Sequence, residues 1–170
     1  MSPTIYSIIL SSLATGTIIT LTSHHWLMAW IGLEINTLAI IPIISMQHHP
    51  RSTEAATKYF LTQAAASALI LFASTTNAWS TGTWDITQIS TTPSNIFLTI
   101  ALAMKLGLAP MHFWLPEVIQ GSTMPTAFII MTWQKLAPMS LIFLTINNLS
   151  STILLLLGMT SSMLGGWSGL

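Results

Sequence analysis

Three charged side chains, Glu34, Lys105 and Lys135, each lie near the middle of an apolar run long enough to cross a membrane. At about 1.5 Å rise per residue, each lies roughly 12–15 Å into its run, near the centre of a hydrocarbon layer about 30 Å thick. Burying each charge there costs roughly 3 kcal/mol, so the three together cost about 9 kcal/mol. This cost predicts that the charges move ions or protons. The runs are Trp26–Ser45, Asn95–Leu115 and Pro125–Ile146.

Lysine and glutamate suit a proton relay in particular. Removal from water favours the neutral form of both side chains, whereas a nearby opposite charge favours the charged form. Moving Glu34 away from Lys105 would therefore release the Lys105 proton, with Lys135 as the next acceptor. A static ion pair between Glu34 and one lysine is the alternative. Such a pair roughly breaks even in free energy and leaves the other lysine without a partner in this chain, so we favour the relay.

The run around Lys105 contains the residues that break a helix, Gly107, Pro110 and Pro116. A proline removes one helical hydrogen bond and clashes with the carbonyl four residues earlier, here that of Leu106. We therefore expect a break or kink just after Lys105, with free carbonyl groups beside it. Non-helical backbone at this depth is tolerated only inside protein or beside a watery cavity, and broken helices lie at ion sites in transporters. A simple proline kink is the plainer alternative.

Other polar positions give weaker signals. Pro138 is expected to loosen its helix just past Lys135, and Gly32 to permit close helix approach near the polar Asn36. His112 follows the predicted break and is a candidate extension of the proton path. Four further histidines form two pairs at opposite ends of one helix, about 35 Å apart, so we predict loop or interfacial positions and no shared metal ion. These are His24, His25, His48 and His49.

Composition identifies the class of protein. Charged residues make up 5% and hydrophobic residues 52% of the chain, whereas soluble proteins carry about 25% charged residues. Such a chain cannot cover a water-facing surface, and we predict an all-α, polytopic transmembrane helical bundle. The zero net charge gives no electrostatic basis for binding nucleic acid. The absence of cysteine excludes thiolate metal sites and iron–sulfur ligation.

About six helices can be placed, with the fourth interrupted by proline. Residues 1–170 are expected to form a single transmembrane domain, the first part of a longer protein. Basic residues near the loop at 46–53 predict that this loop and the N-terminus lie on the inner or matrix side. The loops include Met46–Thr53, Ala78–Pro93 and Gly165–Leu170. The predicted helices are Ile5–Thr22, Trp26–Ser45, Glu54–Asn77, a fourth from Asn95, a fifth from Pro125, and Leu149–Leu164.

Four motifs together resemble the antiporter-like subunits of respiratory complex I, in their mitochondrially encoded vertebrate form. The longest, KLGLAPMHFWLPEV, begins at Lys105. The others are WIGLEIN around Glu34, EAATKYF from Glu54 and WQKLAP around Lys135. The resemblance extends over the entire chain. A second broken helix and a further lysine of the family are absent from this sequence, which therefore corresponds to about the N-terminal half.

The resemblance implies a function that spacing alone does not show. Family members pump protons across the mitochondrial inner membrane, driven by electron transfer from NADH to ubiquinone elsewhere in the complex. It implies that Glu34 is the membrane glutamate, Lys105 the broken-helix lysine and Lys135 the central lysine of the relay. NADH, FMN, iron–sulfur clusters and ubiquinone then belong to other subunits, and no cofactor or metal is expected here.

The expected partners are other membrane subunits of the complex and the lipid bilayer, with no nucleic acid and no soluble small-molecule substrate. The enzyme is the whole complex, and this chain is expected to carry no redox chemistry of its own. Two other interpretations remain open from the residues. One is a stand-alone cation/proton antiporter, and the other is a structural membrane subunit with static charges.

Overall fold

The computed structural model describes residues 2–169 and confirms the predicted all-α bundle. The α-helices of this range are α1 (Pro3–Thr22), α2 (Trp26–Ile44), α3 (Pro50–Thr81), α4 (Thr92–Leu106), α5 (Trp114–Gln120), α6 (Met124–Thr132), α7 (Leu136–Thr145) and α8 (Ser151–Ser168). Short 3-10 turns follow α2 at Ser45–Gln47 and join α6 to α7 at Trp133–Lys135. The pairs α4/α5 and α6/α7 are each two parts of one interrupted segment, so the described range retains about six segments.

Within residues 2–169, four stretches are long and apolar enough to cross a membrane. They are Pro3–Thr22, Trp26–Gln47, Pro50–Thr81 and Met124–Thr145. The 15 residues of α4 cover only about 22 Å at 1.5 Å per residue. Because the hydrocarbon layer is about 30 Å thick, α4 is too short to cross it, and Lys105 lies in its last turn.

Helix α3 is longer than predicted at both ends. It begins at Pro50 rather than Glu54, since a proline in the first turn loses no helical hydrogen bond. The His49 side chain and Ser52 form a capping box there. At the other end the helix continues to Gly82, whose left-handed φ of 72° terminates it. The loops predicted at 46–53 and 78–93 are therefore shorter than expected.

Helix α8 also extends beyond its predicted end. Residues 165–168 were predicted as loop but are helical, and a side chain at Gly165 or Gly166 would meet no other atom within 4 Å. In an apolar environment the backbone must satisfy its hydrogen bonds internally, which favours helix even through glycine. Leu170, the last residue of the predicted loop, lies outside the described residues.

The close approach predicted at Gly32 is confirmed where α1 packs on α2. A Cβ atom at Gly32 would lie 2.6 Å from Cγ2 of Thr20 and 2.9 Å from the carbonyl oxygen of Gly16. Small residues allow two helix backbones to approach in this way. This contact places the Asn36 side chain directly beside α1.

Within residues 2–169, two buried apolar clusters join helices α1 to α7. One joins α2, α3, α4 and α7 and includes Trp26, Leu33, Ile70, Leu102 and Leu141. The other joins α1, α2, α3, α5 and α6 and includes Leu13, Ile40, Tyr59, Trp114 and Ile130. Members of both clusters line a single cavity beside Lys105, so the candidate site lies where the two clusters meet.

Candidate functional site at the broken helix

The helix break lies immediately after Lys105, as predicted. Helix α4 ends at Leu106, and Gly107 adopts a φ of 73°, which side chains other than glycine rarely accept. The amide of Leu108 then donates a 3.0 Å hydrogen bond to the carbonyl of Ala103, the pattern of a Schellman cap. The chain stays non-helical until α5 begins.

Helix α5 folds back against the end of α4. The indole nitrogen of Trp114 donates a 3.0 Å hydrogen bond to the carbonyl of Met104, in the last turn of α4. The Trp114 ring also packs edge-on against Tyr59 of α3, with centroids 5.8 Å apart. Trp114 thus holds the start of α5 against the end of α4 and against α3.

Lys105 is buried without a bonded partner. Its side chain is 5% exposed, and Nζ forms no hydrogen bond with the described residues. The ion pairs found within residues 2–169 include neither Lys105 nor Glu34. Oε2 of Glu34 is likewise buried without a hydrogen bond. This geometry gives no support to a static Glu34–lysine pair.

Lys135 contacts the C-terminal end of α4, on the same side of the break as Lys105. Its Nζ donates a 2.7 Å hydrogen bond to the carbonyl oxygen of Leu106. That carbonyl lies four residues before Pro110 and was predicted to be free of its helical partner. Carbonyls at a helix C-terminus carry partial negative charge, so the end of α4 stabilises the Lys135 ammonium.

The helix around Lys135 is irregular at a slightly different place than predicted. Loosening was expected just past the charge, but the 3-10 turn covers Trp133–Lys135 and thus includes the charge itself. The reason is that Pro138 lacks the amide that would bond to the carbonyl of Gln134, four residues earlier. The turn therefore forms on the N-terminal side of the proline.

A cavity extends from Lys105 to the turn that carries Lys135. Its polar wall contains three side-chain amides, a tyrosine and a threonine, and its apolar wall comes from α2, α5, α6 and α7. From the sequence, Asn36 was the only uncharged side chain of this lining noted as polar. The meeting of these side chains at one cavity was not predicted. Gln63 follows Tyr59 by four residues on one face of α3, and this spacing was the available signal. The polar lining consists of Asn36, Thr37, Tyr59, Gln63, Lys105 and Gln134.

His112 lies in the non-helical connection but does not line this cavity. Its ring stacks on that of Phe113, with centroids 4.7 Å apart, and its Nδ1 atom is buried without a hydrogen bond. A part for His112 in the proton path stays a prediction.

A cluster of exposed charges joins α5 to the start of α3. Lys58 forms ion pairs with Glu54 at 2.7 Å and with Glu117 at 2.6 Å. Arg51 donates a 2.9 Å hydrogen bond to the side chain of Gln120. The Glu54–Lys58 pair has the four-residue spacing that places two side chains next to each other on a helix. The contact with Glu117 was missed because it depends on how α5 folds back.

Two of the paired histidines cap helices. Nδ1 of His25 accepts a 3.1 Å hydrogen bond from the amide of Leu27 at the start of α2. Nδ1 of His49 accepts one of 3.3 Å from the amide of Arg51 at the start of α3. In the described part of the chain, no three His, Asp or Glu side chains are grouped so as to hold a metal ion.

Comparison with known proteins relates this arrangement to a family. Residues 23–170 match the transmembrane family described as NADH:quinone oxidoreductase/Mrp antiporter. The NADH-ubiquinone oxidoreductase chain 2 of Varanus melinus is 62% identical over 170 residues, and that of Carassius auratus is 59% identical. Each match covers 100% of this chain and 49% of the relative. The chain thus spans about half the length of these curated relatives.

A solved structure shows the same fold. A chain in respiratory complex I from Thermus thermophilus superimposes with a TM-score of 0.89 at 26% identity. The match covers 96% of this chain and 39% of that chain. The broken α4 is therefore part of a fold that a solved membrane complex also contains.

Proposed function

The chain belongs to the NADH:quinone oxidoreductase/Mrp antiporter transmembrane family, and from that premise we propose that it carries part of a proton path in a proton-pumping NADH:ubiquinone oxidoreductase. The vertebrate relatives named chain 2 confirm the resemblance expected from the motifs. In this proposal the chain performs no redox chemistry. NADH, FMN, iron–sulfur clusters and ubiquinone are bound by other subunits.

The proposal also covers location and assembly. The chain forms a single transmembrane domain in the mitochondrial inner membrane, as the N-terminal half of a longer antiporter-like subunit. The four membrane-length stretches support a multi-pass position. Its partners are other membrane subunits of the complex and lipid, with no nucleic acid and no soluble small-molecule substrate. The connection between α2 and α3 faces the matrix, as the positive-inside rule favours.

The observation that carries the proposal is the hydrogen bond from Lys135 to the Leu106 carbonyl, one residue after Lys105. Lys105 and Lys135 therefore both lie at the C-terminal end of α4. Since like charges disfavour each other's charged form, a proton on one lysine opposes a proton on the other. The Glu34 charge favours the protonated form of Lys105, so moving Glu34 away shifts the proton towards Lys135. The relay order is then Glu34, Lys105, Lys135.

The alternatives are less well supported. A stand-alone antiporter belongs to the same family, but the relatives reported above are chains of an NADH–ubiquinone oxidoreductase. A structural subunit with static charges would be expected to pair them, and Lys105 has no bonded partner among residues 2–169. An ion-exchange assay with the purified full-length protein in vesicles distinguishes the stand-alone antiporter from the proposed subunit. An antiporter exchanges cations without partners, whereas the subunit should not.

The test of the proposed function replaces Lys135 by Met in the full-length subunit of the assembled complex. We expect normal assembly and a reduced number of protons transferred per NADH oxidised. Leu136→Met is the matched control, since Leu136 is the adjacent exposed apolar residue and has no part in the relay. Undiminished pumping by a normally assembled Lys135→Met complex would rule out the relay.

A further inference from the structure

The side chain of Asn36 is a buried amide without a partner. It is 2% exposed on α2, and neither Oδ1 nor Nδ2 forms a hydrogen bond with the described residues. An asparagine amide offers two donors and an acceptor oxygen, and leaving them unpaired inside a protein costs free energy. Asn36 also lines the cavity beside Lys105, so the unpaired amide lies at the edge of the candidate site.

The surroundings of Asn36 hold it in place. A Cβ atom at Gly16 would lie 2.5 Å from Oδ1 of Asn36, so the glycine on α1 leaves room for the amide. The backbone carbonyl of Asn36 accepts a 3.4 Å hydrogen bond from Nε2 of Gln134. Asn36 therefore contacts α1 on one side and the turn that carries Lys135 on the other.

Three carboxamides meet at the cavity, those of Asn36, Gln63 and Gln134. Carboxamides both donate and accept hydrogen bonds but do not titrate. They can therefore bind and orient water without competing for the proton that the lysines exchange. Buried water typically makes about three hydrogen bonds to polar groups that are otherwise unsatisfied, and Lys105 supplies a further donor with no protein acceptor.

We propose that Asn36 is a positioning residue whose amide, with those of Gln63 and Gln134, binds water between the Lys105 ammonium and the turn that carries Lys135. This inference rests on the proposed function. It identifies bound water, held by the three amides, as the connection between Lys105 and Lys135. One N–H bond of Lys105 breaks as an O–H bond of the bound water forms. A proton of that water then passes to neutral Lys135, so Lys105 ends neutral, Lys135 ends charged, and water and amides are unchanged.

The test uses the assembled complex with Asn36→Leu, which keeps the branching of the side chain and removes its polar atoms. We expect NADH-driven proton transfer to fall on the order of tenfold or more, the scale on which a positioned proton carrier acts. Asn36→Ser should recover part of the rate, because a hydroxyl also binds water. The matched control is Thr20→Val, another buried polar-to-apolar change, at a hydroxyl already bonded to the Thr17 carbonyl at 2.7 Å.

A second measurement keeps the inference testable if Asn36→Leu does not assemble. A cryo-EM map of the unsubstituted complex should show ordered water within hydrogen-bond distance of the Asn36 amide and Lys105. A protein side chain bonded to that amide instead of water would overturn the inference. So would an Asn36→Leu complex that pumps as fast as the Thr20→Val control.

Lys105→Met separates this inference from the proposed function. If Lys105→Met loses pumping while Asn36→Leu retains it, the part assigned to Asn36 is wrong and the relay stands. If both variants pump normally, the relay itself is wrong. Loss of pumping in both, with water visible at Asn36, supports both claims.

Discussion

Nζ of Lys135 donates a 2.7 Å hydrogen bond to the carbonyl oxygen of Leu106, the last residue of α4 before the break that separates α4 from α5. The carbonyl is available because α4 ends there, and the lysine reaches it from a 3-10 turn rather than from a regular helix. The two interruptions are therefore parts of one arrangement. Any change that restores regular helix at either place should disturb the other.

Gly107→Ala should destabilise the break. At a φ of 73° a left-handed conformation costs a non-glycine residue about 1–2 kcal/mol. The nearest atom to an added Cβ is 3.5 Å away, so conformation rather than crowding sets the cost. Thermal unfolding in detergent measures it. Gly158→Ala is the control, since it lies in α8 with nothing within 4 Å and should be neutral or stabilising. Equal melting temperatures for both variants would contradict the prediction.

Gly32→Ala should loosen the packing of α1 on α2. The added Cβ would lie 2.6 Å from Cγ2 of Thr20 and 2.9 Å from the backbone oxygen of Gly16. Overpacking of this kind costs about 1–3 kcal/mol. Thr20→Ser removes the clashing methyl and should restore part of the melting temperature, but not all of it, because the backbone contact remains. A full recovery would show that the backbone contact is unimportant.

The charge cluster around Lys58 leads to a salt-dependent prediction. Glu117→Gln removes one ion pair between α5 and α3, while Glu54 still pairs with Lys58. Both partners are partly exposed, at 54% for Glu117 and 40% for Lys58, so the loss of stability should be small and should shrink as salt is added. Thermal unfolding at low and high ionic strength checks this. An effect that does not depend on salt would indicate that Glu117 acts through packing.

Asp85, in the loop between α3 and α4, should make that loop sensitive to acid. Hydrogen bonds from the Thr87 backbone amide and side chain hold the pKa of Asp85 below its ordinary value, and His24 adds attraction. A lowered pKa in the folded state means that this stabilisation is present above the ordinary value of about 3.9 and is lost as pH falls through the lower folded value.

Hydrogen exchange at the Ile86 amide, which bonds the His24 carbonyl at 3.1 Å, follows this loss. Below about pH 4, its protection should fall in the unsubstituted protein relative to Asp85→Asn, compared at equal pH. The variant keeps an acceptor for Thr87 but has no carboxyl to protonate. The same pH profile in both proteins would exclude Asp85 as the titrating group.

Much of the break could be predicted because its causes are local in sequence. Gly107 and Pro110 forced α4 to end near Lys105, and the rule for proline identified Leu106 as the carbonyl that would lose its partner. The identity of the new partner could not be predicted, because it depends on how α6 and α7 pack. The same limit explains why the Lys58–Glu117 pair and the meeting of Gln63 with Gln134 were missed.

The helix ends that were predicted wrongly have a different cause. Pro50 and Gly165 were predicted to lie in loops, yet both are helical here. Proline is compatible with the first turn, and glycine is tolerated where the backbone must bond to itself. A loop was predicted from the presence of proline or glycine alone. The position of Pro50 in the first turn and the environment of Gly165 allow a helix at both places.

The central claim, that Lys105 exchanges its proton, is tested most directly by Lys105→Arg. Arginine keeps the positive charge but does not release its proton, so a static charge would survive this substitution and a relay would not. The measurement is the number of protons transferred per NADH oxidised by the assembled complex in vesicles. We predict that Lys105→Arg assembles normally and loses pumping as severely as Lys105→Met. A normal ratio in Lys105→Arg, with pumping lost only in Lys105→Met, would contradict the account.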